Sequence, residues 1–94
     1  MDEQKWGYGM QYNAQEFGRR VQALRREQEI TQEKMAEDLH LAKNSVSRIE
    51  RGERSCSIDL MVGLAEYLHT TTDYLLTGKH PVRIVIENFQ KSGS

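Results

Sequence analysis

Apolar residues recur along this chain in short stripes three or four positions apart, and a residue suited to cap a helix precedes most of them. Asn13, with Glu16 three residues on, makes a capping box; Phe17, Val21 and Leu24 then fall at i, i+4 and i+7. Arg19, Arg20, Arg25, Arg26 and Glu27 are expected mostly outside that stripe. The pattern fades near Gln28 and Glu29, and Ile30 anchors the chain before the next cap, Thr31. From a second helix Met35 and Leu39 point inward, while Ala36 lets a neighbour approach closely. His40 ends that helix and Leu41 plugs a tight turn. A third helix over residues 43–51 hides Val46 and Ile49 and closes at Gly52, expected as a C′ residue with positive φ. Ser57 caps a fourth helix with the richest apolar face, Leu60, Met61, Leu64, Ala65 and Leu68. Thr71 or Thr72 caps a brief fifth helix that stops at Gly78. The pattern predicts a compact, all-α, five-helix domain over residues 13–78.

The two ends follow other rules. Residues 1–12 have no helical period and place Gly7 and Gly9 among Trp6, Tyr8 and Tyr12. They are expected to form a flexible aromatic arm, with Trp6 and Tyr8 either idle or packed on the domain or a second subunit. In residues 79–94, Pro81 can open a helix with Val82, Val85, Ile86 and Phe89 on one side, or residues 82–86 can add a strand to a neighbour. Either way an apolar strip results, expected to serve as a dimerisation segment, with docking onto the chain's own fourth and fifth helices as the alternative.

Ninety-four residues suffice for one modest core and one domain. No apolar run approaches the ~20 residues of a membrane span, and the acidic Asp2 and Glu3 stand where a signal peptide would be basic. A cytoplasmic protein is expected. Cys56 is the single cysteine, and His40, His69 and His80 are too scattered for metal-ligand spacing, so no metal site and no cofactor are expected. Net charge is −1, yet residues 19–54 carry nine Lys and Arg against seven acids, a surplus of +2. That surplus lies in the segment that would have to meet phosphates.

Lys43, Asn44, Ser47 and Arg48 share one face of the third helix, opposite Val46 and Ile49. Such a face suits a helix laid in the major groove, where Asn pairs with adenine and Lys or Arg with guanine. Arg48 can equally grip a phosphate. Taken alone, the same four residues are an ordinary solvated face.

The chain resembles the phage-repressor class of helix-turn-helix regulators, the xenobiotic-response-element family. The residues that carry the likeness are LRREQEITQ, then KMAEDL, NSVSRIERG and LAEYLHTTTDYLLTG, in that order. The resemblance implies a repressor-type DNA-binding domain whose helix-turn-helix is formed by helices two and three. It implies base reading by Lys43, Asn44, Ser47 and Arg48, and phosphate contacts from Gln32, Arg51 and Arg54. It also implies a structural ion pair between Arg25 and Glu50 that neutralises Glu50 near the reading face. Three positions depart from the family pattern: His40 and Glu29 replace glycines, and Ala42 replaces a Ser or Thr cap.

The expected function is a transcriptional regulator, a repressor, bound as a homodimer to a near-palindromic double-stranded operator and held at the nucleoid by it. An antitoxin-like or anti-repressor protein with a small protein partner is the alternative. No nucleophile–base set, phosphate loop or carboxylate pair points to an enzyme. The central face also lacks the stacking aromatics of single-strand RNA readers.

Overall fold

The structure, a computed structural model, describes residues 12–79. Among these residues five helices follow one another with no strand: α1 (Ala14–Glu27), α2 (Gln32–Asp38), α3 (Lys43–Glu50), α4 (Ile58–Tyr67) and α5 (Thr72–Thr77). The helix-turn-helix is α2 and α3. Trp6, Tyr8 and residues 80–94, and with them the helix-or-strand question for the tail, lie outside the described residues.

Four of the helices begin where a side-chain oxygen stands in for the missing turn. Asn13 accepts from the Glu16 N–H at 3.0 Å, Thr31 from Lys34 at 3.0 Å, Ser57 from Leu60 at 3.1 Å and Thr71, not Thr72, from Tyr74 at 3.0 Å. The start of α3 differs. Ala42 occupies the N-cap and supplies no side-chain bond.

The helix ends share one device. After α1, α2, α3 and α4 a residue turns into the left-handed region, and the following N–H reaches back to a carbonyl of the last turn. Ile30 N–H donates to the Arg25 carbonyl at 3.0 Å, Leu41 to Ala36 at 2.8 Å, Glu53 to Arg48 at 2.8 Å and Thr70 to Ala65 at 2.8 Å. The left-handed residues are Glu29 (φ 60°), His40 (φ 58°), Gly52 (φ 78°) and His69 (φ 59°). Three of the four carry a Cβ.

The core draws on all five helices: Phe17 and Val21, Met35 and Ala36, Val46 and Ile49, Leu64, Ala65 and Leu68, and Leu75. Each large side chain buried this fully contributes roughly 1.5–3 kcal/mol. Leu24, Leu39, Leu60 and Met61 are only half-buried, packed against that centre. Outside it, Ile58 is 76% and Val62 42% exposed on α4. Gly18 lets α1 touch the end of α3, because a Cβ there would collide with the Ile49 carbonyl and come within 2.5 Å of the Glu50 carbonyl. Side chains of α1 and its cap also serve the far helices: Arg20 Nη1 donates to the Leu75 carbonyl at 3.0 Å and Gln28 Nε2 to Leu68 at 2.8 Å. Tyr67 Oη donates to Asp38 Oδ2 at 2.6 Å, tying α4 to the end of α2. No helix among the described residues is long and apolar enough to cross a membrane.

Candidate nucleic-acid interface

The third helix owes its position to what it hides. Ser45, Val46, Ile49 and Glu50 are buried, which turns Lys43, Asn44 and Arg48 to solvent and leaves Ser47 half-buried. The helix ends at Glu50, one residue short of the predicted end, and Arg51 is its C-cap. A C-cap residue keeps near-helical backbone angles and its N–H donates the last helical bond, here from Arg51 to the Ser47 carbonyl, without continuing the helix, so the apolar spacing does not mark the stop.

Behind the face lies a buried charge cluster. The side chains of Arg25 and Glu50 are 8% and 1% exposed, with Arg25 Nε 2.5 Å from Glu50 Oε2. The second oxygen, Oε1, accepts from Arg25 Nη2 at 3.1 Å, Gln32 Nε2 at 2.9 Å and Gln22 Nε2 at 3.2 Å. Arg25 Nη1 donates to the Ile30 carbonyl at 2.7 Å. A buried carboxylate supplied with this many donors is neutralised and hydrogen-bonded at once, the condition under which burial is tolerated. The helical period had placed Arg25 outside; instead it is buried and Leu24 only half so, since the turn at Glu29 brings Ile30 over the guanidinium.

In front, Gln32, Glu33, Lys43, Asn44 and Ser47 line one open depression between the starts of α2 and α3. Gln32 therefore faces two ways, bordering the depression while its amide holds Glu50. Arg48 stands exposed one turn along α3, and Arg54 half-buried in the loop after it. Arg51 is engaged with Glu53 through two bonds of 2.9 Å and with the Ser47 hydroxyl.

Two acidic residues on this surface, Glu33 and Glu53, were not singled out from the sequence. Glu33 Oε2 lies 2.9 Å from Lys43 Nζ. That hydrogen bond holds the Glu33 carboxyl below its ordinary range and raises the Lys43 ammonium above its own. The Arg51 guanidinium likewise lowers Glu53. Four cations against two carboxylates leave the face at +2. Glu33 follows the Gln32 already assigned to the face, and that adjacency was the one available signal.

A short helix with an outward polar face, seated across a buried ion pair on two other helices with a tight turn before it, is the arrangement of a helix-turn-helix module. The chain belongs to the helix-turn-helix family, which it matches over residues 21–75. It is of the phage-repressor type, and members of the family are DNA-binding regulators rather than enzymes. It is 35% identical over 66 residues to the HTH-type transcriptional regulator ImmR of Bacillus subtilis, covering 70% of this chain and 51% of ImmR. To the HTH-type transcriptional activator BcrR of Enterococcus faecalis it is 28% identical over 69 residues, 73% of this chain and 34% of BcrR. The chain thus spans about half or less of these relatives' length. Among solved structures it is similar to the restriction-modification controller protein C.AhdI of Aeromonas hydrophila, with a TM-score of 0.62 and 30% identity over 67% of this chain and 96% of that one. It is also similar to the P22 c2 repressor, solved with a synthetic operator, with a TM-score of 0.64 and 27% identity over 67% of this chain and 96% of the repressor.

Proposed function

We propose that this protein is a repressor that binds a near-palindromic operator as a homodimer, reading bases with Lys43, Asn44, Ser47 and Arg48. The observation that carries this reading is the outward set of polar side chains on a helix whose other side is locked by Arg25 and Glu50. In this reading Gln32, Arg51 and Arg54 contact phosphates, with Arg51 released from Glu53 on binding. An exposed pair of that kind is worth only ~0–1 kcal/mol, so a phosphate displaces it readily. Two copies with reading helices ~34 Å apart would enter successive major grooves on one side of the duplex. Exposed Ile58 and Val62, one turn apart on α4, offer apolar surface suited to a second copy; the segment 79–94 is the other candidate. The arm 1–12 is assigned no DNA contact, since Lys5 is its one basic side chain.

Selection of bound duplexes from a random pool tests the proposal. The expected result is a near-palindromic site whose preference at one base weakens about 5- to 150-fold in Asn44→Ala, the worth of one bidentate contact. Sedimentation should show a dimer on that site, and a reporter behind it should be silenced. Salt-sensitive binding with no sequence preference would refute base reading.

A further inference from the structure

Among the proposed readers Lys43 has a side chain 79% exposed, with its charge at the end of a flexible stem. Left to itself, such an ammonium meets a phosphate as readily as a base edge, and a phosphate contact carries no sequence information. Glu33 changes the choice. It projects from the first turn of α2 into the depression shared with Gln32, Asn44 and Ser47, and its Oε2 sits 2.9 Å from Nζ.

We propose that Glu33 is a positioning residue that keeps Lys43 over the depression as a base reader and withholds it from the phosphate backbone. Glu33 thereby sets the ratio of operator to non-operator binding. The inference rests on the assignment of this face to DNA. On non-operator duplex no base edge rewards the held ammonium, while the carboxylate beside it repels phosphates. On the operator, Lys43 reaches its base from the position Glu33 already gives it. The other carboxylate of the face differs in place: Glu53 pairs with Arg51 beyond the C-terminal end of α3, outside the depression. Glu53 withholds a phosphate-gripping cation from every duplex alike. Arg48 feels the charge of Glu53 but forms no direct ion pair among the described residues, so Lys43 is the reader held by a carboxylate contact.

The test is Glu33→Gln in the full chain, titrated by fluorescence anisotropy against a random-sequence duplex and the selected operator across a series of KCl concentrations. Random-duplex affinity should rise, and the slope of log K on log salt should steepen by about 0.9 as Lys43 takes up one phosphate. The operator-to-random ratio should fall roughly two- to fivefold, the bias that one exposed ion pair can supply. In a Lys43→Met background the same substitution should change neither slope nor ratio. Glu53→Gln should raise both affinities by one factor and leave the ratio alone. An unchanged slope, an equal gain on both duplexes, or a change of slope or ratio that persists without Lys43 overturns the proposal. A wild type with no preferred operator sinks base reading instead, and the slope on random duplex still decides whether Glu33 restrains Lys43. Loss of DNA binding altogether removes both.

Discussion

His40 sits at φ 58°, in a region where a Cβ crowds the following carbonyl. The turn nevertheless forms, because the reward lies elsewhere: its own N–H reaches Glu37 and the next N–H reaches Ala36. Replacing His40 by Gly removes the crowding and keeps both bonds. The expected gain is about 0.5–1 kcal/mol after the added freedom of the unfolded chain, or ~2–8 °C in thermal melting. A melting temperature that falls would show that the imidazole contributes more than its backbone strain removes. Glu29 and His69 occupy the same conformation after α1 and α4. Two of these three positions were legible as departures from a glycine pattern; His69 was not, since the Thr71 cap marks where the next helix starts but not which residue before it turns left-handed.

At the scale of the element, α3 is held by the Glu50 carboxylate, which gathers donors from α1 and from the first residue of α2. Glu50→Ala leaves the Arg25 guanidinium buried with the Ile30 carbonyl as its remaining described acceptor. The loss should approach 3–5 kcal/mol, lowering the melting temperature by more than about 10 °C. An unchanged melting temperature would count against the cluster as the support of α3. The stripe of Val46 and Ile49, closed by Gly52 as a stop signal, made this helix visible in sequence. Its supports were harder to see. Burial of Gly18, the inward turn of Ser45, and the reach of Gln22 and Glu33 all depend on how closely α1 and α2 approach α3. Helical periodicity describes one helix at a time and is silent about such approaches. The ion pair was reached by family likeness, not by spacing.

Across the whole molecule, the hydroxyl of Tyr67 links the helix-turn-helix to the layer of α4 and α5. Its bond, and then Lys34, holds the Asp38 carboxyl below the usual carboxylate range, while burial and Asp38 push Tyr67 up to about 12. A depressed carboxylate adds stability above its unfolded pKa of ~3.9, and that contribution disappears as pH falls through the folded value. The raised phenol acts in the opposite window, adding stability below ~10 and losing it toward 12. Tyr67→Phe should therefore melt a few degrees below wild type at neutral pH, with the gap narrowing in melts below pH ~4. A gap independent of pH would mean that Tyr67 stabilises through packing alone.

Under the proposed base reading, the division of α3 into a buried and an outward side bears on how new DNA specificities arise. Lys43, Asn44 and Arg48 contribute no side chain to the core, so exchanging them is expected to change stability by no more than ~0.5 kcal/mol. A lineage built on this scaffold can drift from one target sequence to another without passing through an unfolded intermediate. The address is mutable; the platform beneath it is not.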